Sequence, residues 1–330
     1  MRKVISSILL FLALASCSKD SNPVEPGDTS AFSIHLLQDS TIIIANALGH
    51  SLGDLKLSST PWLSVQDIDF YDFSSHCIYL KAEKNSLFPT LDRGSYPSSW
   101  WAKPFVVTAN GEPRYLGVFH GGLSSADWPV PYIEDLENTI IYPRDIIHIS
   151  WIWLLRGDQD TRNDQTAKQC LEQANLCHAG IAVTLDAIQL LQNTDSATIS
   201  YTFTATNNDI DALYVVDPDL MGAGLFHYYN NGPEIASNTD GNVYRSNHGS
   251  TIQPVPFDSW NPNWFVRLAN GASMRRVVTL AGYPHFPSGN YRCEFVYCGP
   301  VHIERAQRTM SNGRYWIGPT TSTINGLIVQ

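Results

Sequence analysis

Apolar positions along this chain come in short runs, most of them alternating with polar residues and separated by Gly, Pro, Asn and Asp clusters. That period of two is the mark of strands with one buried face. Ile199, Tyr201, Phe203 and Ala205 alternate with Ser200, Thr202, Thr204 and Thr206, an apolar face against a hydroxyl face. Ile181, Val183 and Leu185 do the same just upstream. In the first half, "FSIHLLQ" and "STIIIAN" read as strands. "DIDFYDFSSHCIYLKAE" reads as two strands around a Ser-Ser turn. "FVVTANGEPRYLGVF", residues 105–119, predicts a hairpin on Asn110-Gly111, residues that accept the positive φ of a tight turn; Pro113 would shift that turn or lengthen it. Ile146 to Leu155 is apolar on both faces, which predicts a central strand. Further strands are expected at Leu213 to Val216, Leu225 to Tyr229, Trp264 to Leu268, Arg275 to Leu280, Tyr291 to Tyr297 and Arg314 to Ile317, with "NGLIVQ" closing the chain.

One segment breaks the period. In residues 163–177, Ala167, Cys170, Leu171, Ala174 and Cys177 recur at steps of three and four, a helical stripe that Asn163 or Asp160 would cap. The expectation is therefore a mainly β chain with one short helix. Its two β-rich domains are placed at 31–178 and 179–330. "PSGNYRCEFVY" sets Gly289 and Tyr291 at the head of an alternating strand and resembles the tyrosine corner of immunoglobulin-like sandwiches. That resemblance implies such a sandwich for residues 179–330.

The first 16 residues have a different character. Met1, Arg2 and Lys3 precede an apolar stretch from Val4 to Leu14, about 11 residues, suited to a secretory signal and too short to span a bilayer. Leu14-Ala15-Ser16-Cys17 resembles the lipobox of bacterial lipoproteins. The resemblance implies cleavage before Cys17, acylation of that residue (palmitate among the chains) and, with Ser18 next, sorting to the outer membrane. Residues 17–30, rich in Ser, Pro, Gly and acids, then form a lipidated flexible tether with a reach of roughly 20 Å. The partner this implies is the membrane itself, held through acyl chains.

The net charge of -10 argues against nucleic acid as a partner. Cys77, Cys170, Cys177, Cys293 and Cys298 remain after Cys17, an odd number. Cys293 and Cys298 fall on opposite faces of one strand, and Cys170 and Cys177 lie about 10.5 Å apart along a helix, beyond disulfide reach. Buried thiols acting as small hydrophobes are the plain reading.

Candidate chemistry is sparse. "HGGL" at 120–123 resembles the oxyanion loop of some esterases, yet the Gly-x-Ser-x-Gly elbow they need is missing. Asp158, Asp160 and Asp164, and separately Asp209, Asp211, Asp217 and Asp219, offer oxygens for calcium; solvated turns explain them as well. His76-Cys77 and Cys177-His178 are adjacent pairs that cannot alone hold zinc. Trp100-Trp101, Trp151/Trp153 and Trp260/Trp264 suit either a sugar platform or a packed core, with Trp260 and Trp264 the best candidates for exposure. No cofactor and no resident metal are expected, and no catalytic residue is assigned. The function expected is non-enzymatic: binding, adhesion or structural support at the cell envelope, with an envelope protein or glycan as ligand. The alternatives are a hydrolase on polysaccharide or peptide using paired carboxylates, and a proteinase-inhibitor-like module presenting the loop "NNGPEIASNTDGN".

Overall fold

The computed structural model describes residues 31–87, 101–121, 128–134, 142–151, 160–247, 252–255 and 259–329. The leader, Cys17 and the tether lie outside them, as do Trp100, Trp153, Asp158 and the Gly122-Leu123 end of "HGGL". The chain is mainly β. Nine strands form one sheet in its first half: β1 (Phe32–Leu36), β2 (Leu63–Ser64), β3 (Ile68–Asp72), β4 (Cys77–Leu80), β5 (Pro104–Ala109), β6 (Glu112–His120), β7 (Tyr132–Glu134), β8 (Ile146–Ser150) and β9 (Cys177–His178). Their order is β2-β1-β5-β6-β7-β8-β4-β3-β9. The hairpin forms where its turn chemistry placed it. Asn110 and Gly111 take φ of 54° and 77°, and a register shift at Val107/Thr108 absorbs Pro113 into the ladder.

The helix on this sheet runs Gln165–Gln173 and buries Ala167, Cys170 and Leu171. Its cap is Asp164, whose carboxylate accepts from the Ala167 N–H at 2.8 Å, and not Asn163 or Asp160. Asp160 caps the preceding turn, Thr161–Asn163, instead. Cys177 has left the helix and pairs in β9 beside Tyr71. Two expected strands are corrected. "STIIIAN" holds a single helical turn, Ile44–Ala47, which buries Ile44 and Ala47 three residues apart. Leu225 to Tyr229 lies within a helix, Ala223–Asn230. The "NNG" signal that follows is the end of that helix: Asn231 adopts φ 55° and its N–H reaches the His227 carbonyl, a left-handed C-cap. The chain thus carries several short helices and not one.

The second half holds β10 (Ile181–Gln192), β11 (Ser196–Asn207), β12 (Leu213–Val216), β13 (Glu234–Ser237), β14 (Val243–Tyr244), β15 (Phe265–Leu268), β16 (Ser273–Pro284), β17 (Gly289–Cys298), β18 (Thr309–Met310), β19 (Gly313–Tyr315) and β20 (Pro319–Val329). A sheet ordered β10-β11-β16 and a second ordered β14-β13-β17-β20 pack their apolar faces together. Tyr201 and Phe203 of β11 meet Phe295 of β17 at ring-centroid distances of 5.1 and 5.2 Å. These are the residues the alternation placed inward, and all three are fully buried. At the head of β17, Tyr291 donates its hydroxyl to the Pro287 carbonyl, four residues upstream, at 2.6 Å.

Register fixes which end of these two sheets carries the insertions. Ile181 pairs with Asn207, Thr206 with Ser273, and Cys298 with Pro319. The start of β10, the end of β11, the start of β16 and the β17–β20 connection therefore share one end, opposite the Tyr291 corner. Three segments leave this end, and their strands pair into a small sheet ordered β15-β12-β19-β18. The chain passes from β9 to β10 here. The largest apolar cluster continues across that point, taking Cys77, Tyr79 and Ile146 from the first half into the core of the second. All five cysteines after Cys17 are free thiols.

Candidate functional site

The junction of the two halves is built around buried charge. Arg314 of β19 donates to Asp72 of β3 at 2.9 Å and to Asp209 of the β11–β12 connection at 2.7 Å. Both carboxylates are wholly buried, and the guanidinium also lies over the Phe70 ring. Burial works against an ionised Asp209. The His178 hydrogen bond at 2.9 Å and the Arg314 charge outweigh it and hold the carboxyl well below the usual range. Ser74 ties the same junction together. Its hydroxyl donates to Asp72 and accepts from the Trp316 indole at 2.9 Å and the Ile181 N–H at 3.1 Å. Gly180 passes so close, with φ +64°, that a Cβ would stand 2.0 Å from the Ser74 hydroxyl. A larger residue there would force the halves apart. A second bridge joins Arg308 to Asp145.

His178, Asp209 and Asp211 bring ligand-type atoms within 4.8 Å of one another. The cation serving that cluster is Arg314. The other acidic groups are spent on structure too. Asp217 caps a helical turn and pairs with Arg276, as does Asp219. Asp160 grips Arg162, and Asp164 grips Arg114.

Beside this junction a cleft of about 680 Å³ opens between the halves. Its floor is the outer face of the β13-β17-β20 sheet. Glu234, Glu294 and Thr323 are direct cross-strand partners, giving a carboxyl–carboxyl–hydroxyl row; Val296 and Thr321 form the next. Its wall comes from the nine-stranded sheet. On β8, Ile147 and Ile149 point into the apolar core, so His148 and Ser150 face the cleft, with Trp151 following. Tyr132, Phe73, His76, Asp160 and Arg162 complete it.

Four of the charged groups on the lining are already paired with one another. Arg162 donates to Asp160 at 2.6 and 2.9 Å and to the Ile149 carbonyl at 2.6 Å, which locks it onto β8. Arg245 donates to Glu234 at 2.5 and 3.2 Å. Burial, with the Arg162 charge nearby, pushes His148 down to about 3, so its ring is neutral; its Nδ1 shares a hydrogen with Ser150 Oγ at 2.8 Å. Burial, reinforced by Glu234 and eased by Arg292, pushes the Glu294 carboxyl up to about 7. Two residues of this one lining each carry a buried polar atom with no protein partner: Trp151 Nε1 and Glu294 Oε2. Buried polar atoms are normally paired, so their gathering on one surface marks it out.

Of the aromatic candidates among the described residues, Trp151 alone lines the cleft. Trp260 and Trp264 pack against the second-half core, with the Trp260 ring tilted against Tyr229 at a centroid distance of 4.1 Å; Trp101 is half exposed. Within "NNGPEIASNTDGN", Glu234–Ser237 forms β13, paired between β14 and β17. His120 ends β6, and Gly121 follows it. Glu234, Glu294 and Arg245 were not singled out from sequence. The one available signal was a glutamate at an outward position of "YRCEFVY", which reads as solvent-facing unless a second sheet covers it. Comparison with family models, curated proteins and solved structures found no match.

Proposed function

We propose that this protein is a lipid-anchored lipoprotein of the bacterial envelope whose β-rich body binds a saccharide in the cleft between its halves, without enzymatic turnover. Cys17 carries the acyl chains, residues 17–30 form the tether, and the outer membrane is the site. Residues 179–330 are read as an immunoglobulin-like sandwich, supported by the β10-β11-β16 and β14-β13-β17-β20 orders and the Tyr291 corner. The unpartnered Trp151 Nε1 and Glu294 Oε2 on the cleft lining carry the binding reading. Flat rings (Trp151, Tyr132, Phe73) beside hydroxyls (Ser150, Thr320, Thr321, Thr323) suit sugar faces and sugar hydroxyls, and the volume lies in the range of small-ligand sites.

The test is titration of the full-length protein in detergent with saccharide tetramers. Trp151→Ala is expected to weaken binding about tenfold or more while the circular dichroism stays unchanged, the scale of a stacked aromatic with its hydrogen bond. Binding that ignores Trp151 would contradict the cleft. For the anchor, Cys17→Ser should abolish incorporation of labelled palmitate; retained label would overturn the lipoprotein reading.

A second reading has its own observation. Glu234 and Glu294 are paired directly across β13 and β17, so their Cβ atoms lie about 5 Å apart and two carboxyl groups share one face of the cleft, the residue types that glycosidic hydrolysis by a carboxylate pair requires. Release of reducing ends from a polysaccharide, lost in both Glu→Gln variants, would favour it over binding alone.

A further inference from the structure

We propose that the cleft selects a sugar bearing a free ammonium group, and that the Glu294 carboxyl receives that group. The inference rests on the saccharide reading above and names the class of sugar.

The argument is one of charge accounting on the lining. Asp160 has Arg162, and Glu234 has Arg245. Both guanidinium groups are committed, so an anionic ligand would have to break an existing pair. His148 is neutral and adds no charge. Glu294 differs from its neighbours. It is only 6% exposed, and its Oε2 has no protein partner. Its surroundings can be named element by element. Glu234 of β13 is the cross-strand neighbour and repels it; Arg292, two residues back on β17, attracts it; Thr323 of β20 offers a hydroxyl; the wall opposite presents neutral His148 and the closed Asp160–Arg162 pair. Burying a carboxylate without a cation is costly, and a neutral sugar would leave that cost in place. An ammonium would remove it with a charge-assisted hydrogen bond. The rings and hydroxyls around it fit the rest of the sugar.

The raised position of the Glu294 carboxyl adds a second, independent readout. Below about pH 7 the carboxyl holds a proton that an ammonium must displace, so binding releases it.

The experiment is calorimetry of the full-length protein with two probes, the glucosamine tetramer and the N-acetylglucosamine tetramer. It is run at about pH 5.5 in two buffers of different ionisation heat, so that proton release is counted. The free-amine tetramer is expected to bind about tenfold or more tightly than the acetylated one, the scale of one charge-assisted hydrogen bond, with net proton release. Glu294→Gln is expected to bring the two affinities together and abolish the release, the readout being the ratio of the two affinities and the proton count, not either affinity alone. If that variant fails to fold, wild type alone decides: its preference for the amine should grow as pH is raised from about 5 towards 7. Equal affinities for wild type, or a preference that survives Glu294→Gln, would overturn the inference. If the acetylated tetramer binds and Trp151→Ala removes it, the cleft reading survives that loss. If neither tetramer binds, both fall.

Discussion

Glu294 sits where a carboxyl costs stability. The folded chain holds it near pH 7 against an ordinary value of 4.5, so the fold favours the protonated form. The sign follows from linkage: its contribution is fully present below about 4.5 and is lost as pH rises through about 7. Glu294→Gln removes the penalty. In the absence of ligand it should therefore raise stability at about pH 8 by about 2 kcal/mol, after discounting for water in the cleft, with little change at about pH 5. Urea denaturation at the two pH values measures this. A variant less stable than wild type at the higher pH would mean that the carboxylate is satisfied by a partner within the protein. Asp209 shows the opposite sign. Its carboxyl is held low by His178 and Arg314, so its contribution is present above the ordinary carboxylate value and is lost as pH falls through the folded one. At this scale the sequence was legible only in part. The inward faces of β11 and β17 could be read from their period, because burial under a sheet writes itself as alternation. Glu294 could not, because the wall that faces it across the cleft comes from β8, nearly 150 residues earlier, and no local pattern records a long-range neighbour.

Among the elements, the turn into β17 is where a short motif and its geometry agree most closely. Tyr291 is inward on the strand, and its hydroxyl closes a loop onto Pro287. Tyr291→Phe keeps the ring and loses only that bond. The expected cost is about 1 kcal/mol of unfolding free energy, read as a lowered denaturant midpoint with unchanged slope. No shift in midpoint would show that the corner adds nothing. Elsewhere, elements were misread where tertiary context decided between two locally allowed forms. The aromatic run "LFHYY" has strand-forming residues, yet it folds as a helix because Phe226, His227 and Asn230 then reach the core at helical spacing and Asn231 supplies the stop. "STIIIAN" likewise gives one turn of helix that puts Ile44 and Ala47 under the sheet. The capping residue of the Gln165–Gln173 helix was displaced by a salt bridge: Asp164 serves the helix and Arg114 together, which Asn163 cannot do.

For the whole molecule, the three insertions at one end of the two facing sheets explain how a cleft comes to exist. Their strands weave into a small sheet, and Arg308, Arg314 and Trp316 reach from the β17–β20 connection into the first half. Buried ion pairs of this kind contribute little net energy but are costly to break one partner at a time, so they hold the halves in one arrangement. The shared apolar cluster does the same by packing. A β-rich body was legible from period and composition; the brace was not, since Asp72, Asp209 and Arg314 lie far apart in the chain and each looks like an ordinary turn residue. Among the described residues no helix is long and apolar enough to cross a membrane, and attachment through Cys17 remains the proposal for anchoring.

The central claim is that ligand enters between β8 and the β13-β17-β20 face. Hydrogen–deuterium exchange of the full-length protein, with and without whichever saccharide tetramer binds more tightly, tests it directly. Slowed exchange is predicted in peptides covering 146–151, 232–237, 291–298 and 319–324, with no change around 260–264. Protection centred on Trp260 and Trp264, or none at the four cleft segments under saturating ligand, would contradict it.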